Sequence, residues 1–396
     1  MKHAVDRNRG YFQWLNRDVL LLACASLFSD ISTEMLYPVL PVYLTEYLKI
    51  NGSTLGIIEG TAEAVQNAIQ GISGYWSDKM RRRKPLAIAG YLLSAIAKPF
   101  IGIATSWPVA WSARISDRLG AGIRSAPRDA LVAGSVEEEN RGKAFGMEGF
   151  GDNLGAFIGP LITVALFFTL GVAVKSLFYL ALIPGLLALT MILLVEERRS
   201  AKIRSKVSLH LSTFPKAYTR YLWLAALFSI GNSSNSFLIL QLKSTGVSLP
   251  LTIIIYAFYN FVAAIVSYPA GSLSDRVSRK SLLIGALTIF AVTYAGFASV
   301  KNTVLMGGLF ILYGLFQGTF RAVGKACAVD FVEPELRASA IGWYGTAIGL
   351  SNLIASIIAG VLWDKVGHSA VFIYGASFAC LSIIGFLLAG SSLNRK

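Results

Sequence analysis

Charged residues are scarce in this sequence. Asp, Glu, Lys and Arg make up 15% of its 396 residues, whereas soluble domains carry about 25%. Hydrophobic residues make up 54%, and the mean hydropathy is +0.58. The length would suit two or three soluble domains. The polar segments, however, are too short for soluble domains that bury this much apolar surface. The composition therefore excludes a soluble multidomain protein and indicates an all-α polytopic membrane protein.

Cysteine and histidine are also rare, with three of each. The cysteines lie within apolar runs, and their spacing fits neither a zinc site nor a disulfide framework. We interpret them as small buried hydrophobic residues. The histidines lie outside the helix centres, so the sequence predicts no buried histidine cluster. The six positions are Cys24, Cys327, Cys380, His3, His210 and His368.

Several functional signatures are missing as well. No P-loop is present, which argues against ATP-driven transport by this chain alone. Nothing resembles an enzyme site, and we expect no cofactor. The polar N-terminal segment and the long first apolar run do not fit a cleavable signal peptide.

Apolar stretches of about 20 residues recur along the whole chain, which is the length that a bilayer core requires. A basic linker at 196–217 divides them into two halves, 1–195 and 218–396, of six helices each. The predicted helices span 18–46, 53–78, 85–105, 107–134, 141–171, 175–195, 219–243, 248–273, 281–300, 303–330, 337–363 and 369–390.

The net charge of +14 does not indicate a nucleic-acid partner, because the basic residues gather in alternate loops. They cluster before the first helix, after the second, in the linker and after the eighth, while the other loops hold single charges. This bias follows the positive-inside rule, so we expect both termini and the linker to be cytoplasmic.

One loop sequence occurs twice, each time between the second and third helices of a half. GYWSDKMRRRKPL runs from Gly74 to Leu86, and GSLSDRVSRKSLL runs from Gly271 to Leu283. Other segments also match between the halves, and Arg321 in the tenth helix is the expected counterpart of Arg124 in the fourth. The chain is therefore an internal duplication.

Six plus six helices, a basic middle loop and two copies of this motif resemble the major facilitator superfamily of secondary transporters. The resemblance covers essentially the whole chain and implies alternating access by a monomer in the bacterial inner membrane. It also implies that the loop motif forms a charge cluster that holds the cytoplasmic gate shut. The residues that match this gate are Gly74, Asp78, Arg82, Arg83, Asp129, Gly271, Asp275, Arg276 and Arg279.

Ionisable residues inside the predicted helices need an inward position and a partner, because they are costly in hydrocarbon. Carboxylates at this depth can exchange a proton near neutral pH, and arginines bind carboxylate or phosphate in a bidentate fork. The alternative is that acids and arginines only neutralise one another. The candidates for proton exchange are Asp30, Glu34 and Glu63, and Asp117 is a further substrate or coupling candidate. The arginine candidates are Arg114, Arg118, Arg124 and Arg321.

The second half offers neutral polar groups instead. Asn232 and Asn235 lie in the seventh helix, and Ile230 and Ser234 align with Asp30 and Glu34. One hypothesis is that the first half handles charge while the second supplies hydrogen bonds to the solute. The alternative is that Asn and Ser hold helices together, as they often do in membrane bundles.

These observations predict a proton-coupled secondary transporter, driven by the proton gradient, for a small organic anion or anionic chelate. A partial match in the fifth helix, Gly155 to Pro160, resembles the family's antiporter motif and favours export of a drug-like or siderophore-like compound. The alternatives are an uncoupled facilitator or importer, a receptor that keeps the fold without transport, and a metal-ion carrier. We expect protons, lipid and the solute as the only partners.

Overall fold

In the computed structural model, the described residues are 15–80, 82–137, 140–197, 211–274, 277–333 and 336–389. They are mostly helical and contain no β-strand. The helices are α1 (Arg17–Glu34), α2 (Gly52–Met80), α3 (Lys84–Ile103), α4 (Trp107–Gly134), α5 (Arg141–Leu170), α6 (Val174–Leu180 and Leu182–Leu194), α7 (Lys216–Gly231 and Ser236–Ser244), α8 (Leu249–Ser274), α9 (Arg279–Ser299), α10 (Thr303–Asp330), α11 (Arg337–Lys365) and α12 (His368–Leu388).

Three of these segments are interrupted where the sequence predicted continuous helices. After α1 the chain turns, forms the short helix Leu40–Val42 and continues as a π-helical stretch at Tyr43–Tyr47. Pro38 lies at this break, and Pro184 follows the interruption of α6 at Ala181. Proline has no N–H to donate and clashes with the preceding turn, so it disrupts a helix.

Nine spans among the described residues are long and apolar enough to cross a membrane. The remaining segments, 17–47, 52–80 and 107–134, are interrupted by ionisable residues and pack against these spans. With these three segments added to the nine spans, we interpret the bundle as twelve membrane-spanning segments.

The same helix pairs form in both halves. In the first half, α1 packs on α5 and α6, α3 packs on α4 and α6, and α2 packs on α4. In the second half, the corresponding pairs are α7 with α11 and α12, α9 with α10 and α12, and α8 with α10. The contacts between halves are also related in this way, since α2 meets α11 and α5 meets α8. The duplication in the sequence is therefore a duplication in space.

The bundle has two distinct ends. We call the end with residues 80–84 and 274–279 the basic end, and the end with residues 47–52 and 365–368 the opposite end. At the opposite end the halves are joined, because Asp364 accepts hydrogen bonds from the backbone N–H of Gly52 (2.8 Å) and Ser53 (2.7 Å). Lys243 also lies 3.6 Å from Glu46 there.

A middle layer of contacts also crosses between the halves. Tyr256 donates a hydrogen bond to Glu34, and Asn352 donates one to Glu63. Asn260 also donates a hydrogen bond across this layer to the backbone carbonyl of Ala156. The described parts of the halves are therefore joined at the opposite end and in this layer. We interpret the space between the halves on the basic side of the layer as a cleft, since a Cβ added at Gly71, Gly342 or Gly345 would meet no atom within 4 Å.

Candidate functional site

A buried ion pair connects α2 with α4. Arg114 donates two parallel hydrogen bonds to Glu59, from Nε at 3.0 Å and from Nη2 at 2.9 Å. Both side chains are buried, and the Arg114 guanidinium also lies 5.8 Å from the centre of the Tyr37 ring. This bidentate geometry is the strong form of the arginine–carboxylate contact.

Asp117 is the centre of a larger cluster on the same side of the bundle. Its carboxylate accepts hydrogen bonds from Arg118 at 2.7 Å and 3.0 Å and from Ser94 at 2.6 Å. Arg114 and Lys98 lie 3.3 Å and 3.7 Å from it. The predicted candidates Arg114, Asp117 and Arg118 are therefore brought together, but they neutralise one another in this state.

Nearer to the basic end, Arg128 is surrounded by three carboxylates. It lies 3.0 Å from Asp129, 3.0 Å from Glu148 and 3.7 Å from Asp152. Ser26 accepts a hydrogen bond from Arg128 at 3.1 Å and donates one to Glu148 at 2.7 Å. Asp129, predicted as part of the gate, is therefore bound to its neighbour on α4.

Arg124 has a different environment. Its guanidinium donates a hydrogen bond to Ser29 and lies 4.6 Å from the centre of the Tyr91 ring. No carboxylate among the described residues pairs with it. The side chain is nevertheless mostly buried, so its charge is balanced only by the ring face and by more distant acids.

The three carboxylates proposed for proton exchange lie in the middle of the bundle but have unequal partners. Glu34 accepts hydrogen bonds from Tyr256 at 3.0 Å and Asn260 at 3.4 Å, both on α8. Glu63 accepts one from Asn352 at 3.5 Å. Asp30 is half-buried, and no described residue forms a hydrogen bond or ion pair with it.

The two asparagines flank the break in α7. Asn235 donates to the Tyr259 hydroxyl at 3.3 Å and accepts from the Tyr313 hydroxyl at 2.8 Å. The side-chain amide oxygen Oδ1 of Asn232 is buried and has no hydrogen-bond partner among the described residues. Thus Asn235 fits the helix-joining alternative in this state, whereas Asn232 retains an unused acceptor.

Arg321 is exposed on α10 and faces the cleft, within electrostatic reach of Glu34 and Tyr259. The sequence reasoning missed Lys325, which follows one turn later and is also exposed. The interval of four residues could have revealed it, because such residues share a helix face.

The two loop motifs make equivalent contacts. Arg83 donates to the carbonyl of Ala130 at 2.7 Å, and Arg279 donates to that of Ala326 at 2.6 Å. Arg279 also pairs with Asp330 at 2.7 Å. Gly74 packs near Ala126 on α4. The remaining gate candidates are Arg82 and Gly271 at the basic end, and Asp78, Asp275 and Arg276, whose side chains lie outside the described residues.

These contacts correct one detail of the internal alignment. Ala130 and Ala326 are 196 residues apart, and so are Gly122 and Gly318, which both pack against the backbone of the neighbouring helix. Arg321 is then equivalent to Ser125, one residue away from the expected Arg124. Lys325 is equivalent to Asp129.

The metal-carrier alternative gains no support. The described residues contain no group of three or more His, Cys, Asp or Glu side chains that could hold a metal ion.

Comparisons with known proteins agree with this architecture. The family model described as Major Facilitator Superfamily matches residues 22–241 and 222–392. The chain is 33% identical over 398 residues to an uncharacterized MFS-type transporter of Methanocaldococcus jannaschii, with 97% of each chain covered. It is 27% identical to a probable 4-methylmuconolactone transporter of Cupriavidus pinatubonensis, covering 87% of this chain and 83% of the relative.

Among solved structures, the nucleoside transporter NupG superposes with a TM-score of 0.81 at 15% identity, covering 95% of this chain and all of that one. At this identity the likeness concerns the fold alone. The family matches and the relatives show that the chain belongs to the Major Facilitator Superfamily. It is an integral membrane transporter and not an enzyme.

Proposed function

We propose that the protein couples the movement of a small organic anion to protons by alternating access between its two halves. The observation that carries this proposal is Asp30, a half-buried carboxylate that has no partner among the described residues. It lies near the end of α1 and near the middle of the bundle, the depth at which transporters of this type place coupling ions. An acid without a fixed partner is free to bind and release a proton.

Glu34 links that proton to the conformation. It lies one turn from Asp30 and accepts hydrogen bonds from Tyr256 and Asn260 in the other half. A change in the charge of Glu34 alters hydrogen bonds that hold the halves together. Proton binding could thus shift the equilibrium between the two open states.

The anionic substrate is supported by arginines that have no acidic partner in the described part of the chain. Arg114 and Arg118 are neutralised by Glu59 and Asp117, so we assign them to the joining of α2, α3 and α4. Arg124 and Arg321 have no carboxylate within ion-pair distance among the described residues, and they remain the arginine candidates for the solute. The relative named as a probable 4-methylmuconolactone transporter suggests organic lactones for the first test.

We propose that the termini lie in the cytoplasm, which makes the basic end face inward and assigns this conformation to the inward-facing state. We place the protein in the inner membrane of a bacterium and expect it to act as a monomer. Export is the favoured direction, because of the partial antiporter motif from Gly155 to Pro160. An uncoupled facilitator is the second candidate, since several charges in the bundle serve one another as partners.

The test is transport in proteoliposomes with an imposed pH gradient. Internal pH is followed with a dye while pools of anionic, cationic and chelate compounds are added to wild type, Asp30→Asn and Glu34→Gln. Glu137→Gln, in an exposed loop, is the control. Proton movement that requires the anion pool and is lost in both variants supports the proposal. Solute flux without proton movement, unchanged in both variants, identifies a facilitator, and binding without flux identifies a receptor.

A further inference from the structure

Arg321 and Lys325 form a pair of cations on the cleft face of α10. They are four residues apart, which places their side chains one above the other on the helix. Both are exposed. Lys325 lies within electrostatic reach of Asp129 and Asp152 in the first half, just as Arg321 does of Glu34. The pair therefore faces the space between the halves.

The second half has almost no acid with which to neutralise this pair. Between residues 218 and 329, Asp275 is the only acidic residue in the sequence, and residues 337–363 contain none. Asp330 is bound to Arg279, and Asp364 lies at the opposite end. Glu333 and Glu335 follow α10 in the sequence before α11. The acids within electrostatic reach of the pair include Glu34, Asp129 and Asp152, which lie across the cleft.

In the first half, Arg124 lacks a carboxylate partner among the described residues, but four other cations inside the helices are paired. Lys98, Arg114, Arg118 and Arg128 each have a carboxylate partner, at distances of 2.7–3.7 Å. The positions equivalent to Arg321 and Lys325 are Ser125 and Asp129, so the duplication did not simply copy a cationic pair. The two charges are a feature of the second half alone.

We propose that Arg321 and Lys325 form a subsite for a compact dianionic group of the transported solute, such as a phosphate or two neighbouring carboxylates. This inference rests on the proposed function and specifies its substrate class. The guanidinium offers a planar fork of donors, while the ammonium supplies a mobile point charge one turn away. Cβ atoms about 5–6 Å apart suit two anionic oxygens on a single small group.

The experiment measures thermal stabilisation of the purified full-length protein by inorganic phosphate, succinate and acetate at constant ionic strength. We expect phosphate or succinate, or both, to raise Tm saturably and more than acetate does. Arg321→Gln and Lys325→Gln should each weaken the apparent affinity about tenfold or more, because a charge-assisted contact is lost. Lys325→Arg keeps the charge and should retain binding, and it controls for a folding defect in Lys325→Gln.

Lys301→Gln is the matched control, because Lys301 is an exposed lysine at the opposite end. This variant should bind phosphate and succinate as the wild type does. A phosphate response without a succinate response identifies a phosphate group, and the reverse identifies paired carboxylates. Equal effects of dianions and acetate, or full dianion affinity in both Gln variants, would overturn the subsite.

The main competing role is an ion pair between the halves. Asp129→Lys combined with Lys325→Asp tests it, since restored transport with unchanged dependence on the anion would assign Lys325 to closure of the basic end. The subsite and the proposed function can fail separately. Dianion binding without proton-coupled flux contradicts only the function, whereas proton-coupled flux of a solute without dianion binding contradicts only the subsite.

Discussion

Glu59 and Arg114 show how single residues hold charge inside this bundle. The two carboxylate oxygens accept hydrogen bonds from Nε and Nη2 along one edge of the guanidinium, so neither ion is left without a partner in a region of low dielectric. Sequence reasoning identified Arg114 as costly and in need of a partner, but it did not identify Glu59 as that partner. Spacing along one helix says which residues share a face; it does not say which faces of two helices meet.

The first prediction concerns this pair. Glu59→Gln leaves Arg114 charged and buried without an equal partner, which should cost on the order of 3 kcal/mol of stability. The double variant Glu59→Gln with Arg114→Gln should recover much of that loss, because no net charge then remains. Thermal unfolding in detergent measures both.

Glu63→Gln is the control for this prediction. Glu63 lies on the same helix, and it accepts a single 3.5 Å hydrogen bond, from Asn352, among the described residues. Its substitution should change Tm much less. An equal loss of stability in Glu59→Gln and Glu63→Gln would show that the bidentate geometry contributes nothing specific.

At the scale of elements, α2 and α11 form the joint between the halves. Glycines make their close approach possible, since a Cβ at Gly56 would overlap the Ser356 carbonyl, and one at Gly360 would overlap the Gly52 carbonyl. Asp364 then accepts hydrogen bonds from the first N–H groups of α2 and from the Ser53 hydroxyl at 2.6 Å. An acid at a helix N-terminus is favoured by the helix dipole.

The second prediction is that Asp364→Asn favours opening of the opposite end. The loss of one negative charge at the N-terminus of α2 should cost about 1–2 kcal/mol, or roughly 5- to 30-fold in the ratio of the two states. A cysteine in place of Leu353, which packs against Gly60, should react faster with a reagent applied from the opposite end. The three native cysteines are replaced beforehand.

Lys365→Gln is the neighbouring control, because Lys365 is exposed at the same end of α11. Its labelling rate should match that of the otherwise unchanged protein. If Asp364→Asn leaves the rate at position 353 unaltered, these hydrogen bonds do not set the equilibrium between the states.

At the scale of the whole molecule, two related halves carry different charge patterns. The first half holds paired acids and cations, whereas the cleft face of the second half carries Arg321 and Lys325 with no acid beside them. Helix packing is nearly symmetric between the halves, so the asymmetry lies in the side chains. The division of roles between charge handling and solute contact therefore stays a prediction, with cations now added to the second half.

The third prediction concerns orientation in the membrane. A cysteine at position 301 should react with a membrane-impermeant maleimide in intact cells, because it lies at the opposite end. A cysteine at position 206, in the basic linker, should react only after permeabilisation. Labelling of position 206 in intact cells would show that the topology is the reverse of the predicted one and that this structure is outward-facing.

Much of the fold follows from the sequence alone. The predicted helices 107–134 and 303–330 coincide with α4 and α10, because a helix in lipid satisfies its own backbone and its limits are set by local sequence. The breaks after Glu34 and at Ala181 had a local signal in Pro38 and Pro184. The break at 232–235 had a weaker one, since Asn and Ser side chains compete for the backbone.

The sequence by itself determined the membrane class, the duplicated halves and the list of ionisable residues that need partners. Each of these depends on residue types and on their spacing within one segment. Only the tertiary structure decided that Asp117 gathers Lys98, Arg114 and Arg118, that Asp30 lacks a partner among the described residues, and that the opposite end is closed. These outcomes depend on how separate helices rotate and approach one another, and no single segment contains that information.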